Sequence, residues 1–418
     1  MRKRLGSLLG GAVGAALALG LATPSQAVDI EYWQYAFTAR IDAIDKLIEQ
    51  FEAANPDINV IHTNFPYAEY RTKVAAAIPA GEGPDVVQLY YGWLDAYRDA
   101  QLVVPLPADA FPDAAIKSDF FPMVQAMNVG GDYYGLPTAV RSLALFWNKK
   151  LFAEAGVDGP PETLDELVET AKKLTKRDSG GNLLQVGITI APAGQDHHWW
   201  REVLTRQFGG QPYSADGRTV TYNSEAGIKA IEFYANLITE HKVSEIGFLT
   251  DGQTAFKAGK AGMTFDGSFR LGAFNKQRGL EYGITELPAH DGRRFNFSSY
   301  WVNGITSKAQ GEKREAAAKF LAFITQPDAM QLWLDTVGEL PARPEVALVP
   351  ANENNPQFGP FIKGLAYANA THFVDESAQR QLVIDMLDNI TLKGMSAADA
   401  VAIAAEEEQK LLDKYYGS

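Results

Sequence analysis

Aromatic residues recur beside polar ones at four places in the chain. Trp33-Gln34-Tyr35-Ala36-Phe37 follows one β-rich run and Tyr90-Tyr91-Gly92-Trp93 another. Gly194-Gln195-Asp196-His197-His198-Trp199-Trp200 follows a third, and Ser298-Ser299-Tyr300-Trp301 lies further on. A flat ring can take the C–H face of a sugar, while Gln, Asp, Asn and Arg bond its hydroxyls. A lone aromatic is usually core. Repetition where strands end and loops begin points instead to a cleft. Other chemistry finds little support. There is no G-x-S-x-G elbow, P-loop, H-E-x-x-H or post-strand G-x-G-x-x-G. His197-His198 is the only histidine pair. Adjacent residues on a helix point about 100° apart, so a shared metal is not expected, nor any cofactor. Phenolate ligation of iron by Tyr90-Tyr91 is disfavoured because neighbouring strand residues face opposite ways. Asp196 and Asp266 could in principle form the carboxylate pair of a secreted glycoside hydrolase, yet nothing in the sequence marks a proton donor.

The elements that must hold these residues alternate. Val28 to Trp33 reads as a strand. Ile41, Ile44, Leu47, Ile48 and Phe51 then recur at spacings of three and four, one face of a helix over 39–54. Asn55-Pro56-Asp57 stops it. A strand over 58–63, a helix over 67–78 and a short buried strand over 85–89 follow. Later, 140–147 reads as a long apolar strand, and Thr163-x-x-Glu166 as a capping box opening a helix to Leu174. Residues 185–190, 262–266 and 281–286 read as strands; 199–208 and 225–240 read as helices. Beyond Glu312 the expected helices are 312–325, 328–337, 376–391 and 396–414. Such alternation implies parallel strands with helices on both faces, and ligands at the carboxyl ends of the strands.

Composition narrows the class. The 418 residues exceed one ordinary core. Lys and Arg total 38 against 51 Asp and Glu, a net charge of −13, so a nucleic-acid footprint is not expected. There is no cysteine, hence no disulfide, thiolate site or lipid-modified N-terminal cysteine. Arg2, Lys3 and Arg4, an uncharged run from Leu5 to Ala22, and small residues at Ser25 and Ala27 form a secretory signal pattern. Residues 1–27 are expected to be a signal peptide cleaved after Ala27, and the protein to work in the periplasm. A membrane anchor is the alternative reading of that run.

Several segments together resemble the extracellular solute-binding proteins of ABC importers, in the sugar-binding family 1 that includes maltose-binding protein. They are Phe51-Glu52-Ala53-Ala54-Asn55-Pro56-Asp57-Ile58-Asn59-Val60, Gly83-Pro84-Asp85-Val86-Val87, and Gly135-Leu136-Pro137-Thr138 leading into Leu145-Phe146-Trp147-Asn148-Lys149. Phe256-Lys257-Ala258-Gly259-Lys260-Ala261-Gly262-Met263 and Tyr282-Gly283-Ile284-Thr285-Glu286-Leu287-Pro288 extend the likeness. Each motif is weak alone; their order and spacing are specific.

The resemblance implies an α/β, two-lobed periplasmic-binding-protein fold of type II, each lobe a sheet flanked by helices. Three crossings are expected near 137–141, 283–288 and 325–330. Lobe 1 would comprise 28–139 plus 286–325, and lobe 2 would comprise 140–285 plus 326–418. It further implies a periplasmic, non-enzymatic component that captures a carbohydrate by hinge closure and delivers it to a membrane permease. The chain is expected to be a monomer. By position, Gln34, Tyr35, Phe37, Tyr90, Tyr91 and Trp93 fall on lobe-1 loops that meet the ligand. Gln195, Asp196, His198 and Trp199 fall on the lobe-2 loop. Asp266, Ser268 and Phe269 fall where the family often has G-x-W, and Tyr300 and Trp301 beside the second crossing. Arg141 follows the first crossing, and Arg343 sits in Leu340-Pro341-Ala342-Arg343, similar to a family turn near the cleft. A guanidinium there could chelate vicinal hydroxyls or bind a carboxylate, sulfonate or phosphate. It could equally form a salt bridge within a lobe.

Overall fold

The computed structural model describes residues 27–417. The expected signal segment therefore lies outside the described residues, apart from Ala27. β1 (Val28–Tyr35), α1 (Thr38–Ala54), β2 (Ile58–Phe65), α2 (Tyr67–Ala77) and β3 (Val86–Tyr90) follow in the anticipated order. β1 pairs in parallel with β2 and with β3. Parallel neighbours need a crossover, and α1 supplies the first by burying Ile44, Leu47, Ile48 and Phe51. Asn55 closes α1, its side chain donating to the Phe51 carbonyl at 2.9 Å.

From β3 the sheet continues through Asn296–Ile305, Leu136–Asn148, Ala261–Gly267 and Leu183–Ile188 to Lys176–Arg177. Leu136–Asn148 is the spine. Its first part pairs with Asn296–Ile305 and Leu340–Pro341. Its second part pairs with Ala261–Gly267 and Tyr282–Thr285. Two antiparallel strands thus run from one half of the molecule into the other, with Arg141 opposite Ser299 where they change halves. The Thr163 cap forms, its Oγ1 accepting from Glu166 N at 3.2 Å, while the Glu166 carboxylate reaches one residue further back than a capping box requires and accepts from Glu162 N at 2.8 Å.

Strand Asn296–Ile305 has no counterpart in the sequence reading. All ten of its residues are buried, so it lacks the polar-apolar alternation of a half-exposed strand. Its polar members have specific partners instead. The Asn296 side chain bonds Leu143 N at 3.0 Å and Leu143 O at 2.8 Å. Asn303 accepts from the Tyr32 hydroxyl at 2.9 Å.

This strand relocates the expected second crossing. Residues 283–285 pair with Leu145–Trp147, deep in the second half. Ala289 and Pro288 accept hydrogen bonds from Leu164 N and Gln207 Nε2, which also belong there. The chain passes to the first half only along Asn296–Ile305. The third crossing moves as well. Helix Pro327–Val337 packs on α1, so the chain stays with the first half past 325–330. Gly338 ends that helix with φ +79, a left-handed cap that suits glycine, and delivers Glu339 to the hinge. Helices Glu376–Thr391 and Ala397–Tyr416 pack on each other and on Glu225–Thr239 in the second half.

Candidate functional site

Sheet geometry gathers rings from four segments onto one wall. Trp301 lies in register between Tyr90 of β3 and Ala139 of the spine. Around it stand Tyr35 at 4.4 Å, Trp93 at 5.1 Å, Tyr90 at 5.8 Å and Tyr67 at 6.2 Å between ring centroids. Tyr35 is the last residue of β1 and Tyr90 the last of β3, the strand ends where such sheets present ligand sites. Tyr67 is 60% exposed. It starts α2, and sequence reasoning took it only as the opening of a helix; its signal was an aromatic directly after Phe65-Pro66 at a strand end. Phe37 is exposed beside the same wall, its ring 5.8 Å from the Arg40 guanidinium.

Arg141 stands at the floor. Its Nε donates to Glu339 Oε1 at 2.7 Å and its Nη2 bonds the same oxygen. Buried Arg40 also bonds Glu339, and Trp333 Nε1 donates to the other oxygen at 3.0 Å. Burial alone would raise the Glu339 pKa, but the two guanidiniums override it and hold the group at about 2. Arg141 also lies 4.9 Å from the Phe269 ring, which reaches it from the second half, and Arg270 lies 4.8 Å from that ring. Phe269, half-buried, is therefore flanked by two cations, one from each half of the floor.

The second wall is built from buried polar groups. Asp266 accepts from Arg270 Nε at 2.6 Å and from Gly267 N at 2.8 Å. Burial pushes its carboxyl up against the pull of Arg270. Asp196 accepts from Ala191 N at 2.9 Å and from the Tyr234 hydroxyl at 3.0 Å. Burial, reinforced by the Asp266 charge, pushes Asp196 up to about 7. Glu376, at the start of its helix, contacts His197 and Arg380 at 3.6 Å each. Its charge also bears on Tyr67 and Tyr90 across the gap. Sequence reasoning missed Glu376, because a helix-opening glutamate reads as ordinary capping.

Several anticipated contacts lie elsewhere. Tyr300 is fully buried, donates to the Met123 carbonyl at 2.7 Å and stacks on buried Tyr91 at 4.8 Å. Both are core: strand alternation turns Tyr300 away from Trp301, and Tyr91 opens the 3-10 turn Tyr91–Trp93 that follows β3. Trp199 is fully buried against Phe265 at 4.0 Å and Tyr234 at 5.5 Å. Gln34 is fully buried, on the face of β1 opposite Tyr35. Ser268 is buried; Gln195 is half-buried in the π-turn Pro192–Asp196. His198 stacks on Phe297 at 3.7 Å inside the second half. Arg343 is tied within the first half: Nη1 donates to Asp119 at 2.9 Å and Nε to the Thr325 carbonyl at 2.9 Å. It resolves as the salt bridge, not as a cleft residue. The possible hydrolase pair does not stand free either, since Asp196 braces its own loop and Asp266 is bonded to Arg270.

A family model described as bacterial extracellular solute-binding protein matches residues 46–360. A maltotriose-binding protein of Pyrococcus abyssi is 27% identical over 395 residues, covering 92% of this chain and 82% of that protein. The sn-glycerol-3-phosphate-binding periplasmic protein UgpB of Escherichia coli is 23% identical over 446 residues, covering 96% and 97%. The crystal structure of a cyclic alpha-maltosyl-1,6-maltose binding protein from Arthrobacter globiformis superimposes with a TM-score of 0.81 at 22% identity, covering 93% of this chain and 100% of that one.

Proposed function

The chain belongs to the bacterial extracellular solute-binding proteins, and on that premise we propose that it captures a neutral carbohydrate between its two halves for an ABC importer. Its place of work would be the periplasm, reached by cleavage after Ala27. The observation that carries the reading is the ring wall of Tyr35, Tyr67, Tyr90, Trp93 and Trp301, together with the ion pairs Asp266–Arg270 and Glu376–Arg380 of the other half. Rings supply faces for C–H groups, and fixed charged pairs supply donors and acceptors for hydroxyls without demanding a charged guest. Among the described residues no helix is long and apolar enough to cross a membrane. The similar proteins are binding proteins by name, and the maltotriose binder is consistent with a hydroxyl-rich guest.

Capture would use the two strands shared between the halves as a hinge. A guest touching both walls favours the closed arrangement, because only closure completes both sets of contacts. The halves already meet at the rim, where His372 is hydrogen-bonded to Asp95 and Arg98 Nη2 donates to Tyr415 at 3.3 Å. The closed shape is what a permease would read. A single copy would suffice, since both walls come from one chain.

An anionic guest is the second reading, favoured by the likeness to the glycerol-phosphate binder and by two guanidiniums sharing one carboxylate at the floor. Against it, Arg141 already spends its Nε/Nη2 edge on Glu339, a charge-assisted pair that neutralises it, and Arg343 is engaged elsewhere. Calorimetric titration with maltotriose, maltose, a monosaccharide panel and sn-glycerol-3-phosphate separates the two. Micromolar binding, about 8 kcal/mol, is expected for a neutral sugar. Tight binding of the phosphate alone would replace the first reading with the second, and silence from the whole panel with folded protein would defeat both.

A further inference from the structure

His197, His198 and Glu376 place one donor atom each within 4.8 Å of one another. The sequence argues against this, since adjacent helical residues diverge. Here the backbone is not a regular α-helix. Pro192–Asp196 and Trp199–Leu204 are wound as π-turns around His197-His198, with Gly194 departing from helical angles at ψ −129. Such turns are uncommon and concentrate at functional sites. The two imidazole rings come within 3.7 Å of each other.

We propose that these three residues form a binding site for a divalent transition-metal ion of the zinc class, in the second half of the molecule. His197 shows the arrangement of a ligating histidine: its Nδ1 lies 2.7 Å from the Gly194 carbonyl, which fixes that nitrogen as the donor and leaves Nε2 with its lone pair toward Glu376. Nε2 is buried and otherwise unpartnered, as is Nδ1 of His198, although each side chain is only 2% exposed. Buried imidazole nitrogens without partners are costly, and a metal ion relieves that cost.

Two imidazoles and one carboxylate suit zinc or cobalt(II), and three protein donors leave a fourth position open. Two cations stand nearby and define the competition. Arg201 is matched by buried Glu408 at 3.3 Å. Arg380 shares Glu376 at 3.6 Å and is itself partly exposed, so it can turn to solvent when the carboxylate ligates.

The test uses the untagged, chelator-treated full chain, titrated with zinc by calorimetry and with cobalt(II) by visible absorption. One equivalent should bind at micromolar affinity or tighter, with the intense d–d band of low-coordinate cobalt. Glu376→Gln, which keeps the shape of a half-buried side chain, should bind at least about tenfold more weakly while melting as the metal-free parent does. His197→Gln is the second variant and should abolish the band. No saturable binding by the folded parent, or binding unchanged in Glu376→Gln, overturns the proposal. A cobalt spectrum of purely octahedral, oxygen-only character overturns it too.

Discussion

The two walls of the cleft solve the same problem with opposite materials. The first presents rings that touch one another and leave at least one, Tyr67, open to solvent. The second presents carboxylates, of which Asp196 and Asp266 are buried and bonded to neighbours. Ring contacts are non-directional and tolerate guests of varied shape. Buried polar groups are directional and costly to disturb. Affinity should therefore reside mainly in the first wall, and selectivity and pH response in the second and in the floor between them.

The sharpest break is at the floor. Glu339→Gln leaves Arg40 and Arg141 without their shared counter-charge, and breaking a buried pair of this kind costs about 3–5 kcal/mol. Denaturant unfolding at pH 7 should show that loss. Because the folded Glu339 pKa, at about 2, lies below its ordinary value, its stabilisation is present above pH ~4.3 and disappears as pH falls towards 2. The parent should lose stability through that window and the variant should lack this component. A variant as stable as the parent would mean that the floor is not held by charge.

Asp196 carries the opposite sign. Its folded pKa is raised to about 7, so the folded state binds the extra proton and stability falls as pH rises from ~4 to 7. Asp196→Asn, still able to accept from Ala191 N and Tyr234, should flatten that decline and be relatively more stable at pH 8 than at pH 5. A decline of unchanged slope would assign it to another group.

Ligand contacts come next in size. Tyr67→Ala should weaken sugar binding by about tenfold, the scale of one lost ring contact at ~1.4 kcal/mol, with little change in stability because the side chain is mostly exposed. An equal loss from Asp266→Asn would erase the distinction between the walls. The smallest effect is expected at Arg343→Met. Its partner Asp119 is 40% exposed, so the pair is worth about 0.5–1 kcal/mol, and sugar affinity should stay the same. A fall in affinity would bring Arg343 back to the cleft.

Much of the frame was legible beforehand. The α1 stripe of Ile44, Leu47, Ile48 and Phe51, the Pro56 stop and the late helices follow from spacing and local chemistry, and they stand close to where they were expected. The ring wall was legible in part: Tyr35, Tyr90, Trp93 and Trp301 were named from strand ends, while Tyr67 was hidden at a helix start. Tyr300 was misplaced because adjacent aromatics on a strand look alike in sequence, and only pairing register decides which one faces out; Tyr91 was misplaced because the strand ends at Tyr90 and a 3-10 turn begins at Tyr91. Strand Asn296–Ile305 escaped notice because its polar residues are matched by partners far along the chain.

By itself the sequence determined the alternating elements, the acidic, cysteine-free character and the likeness to solute binders, because these depend on short-range periodicity, composition and ordered motifs. The tertiary structure alone decided that Arg141 meets Glu339 while Arg343 meets Asp119, that the crossing runs along Asn296–Ile305, and that His197, His198 and Glu376 converge. Each of those outcomes is a contact between residues distant in sequence or a departure from regular helix. Burial and charge pairing settle such contacts, and neither can be read from neighbours in the chain.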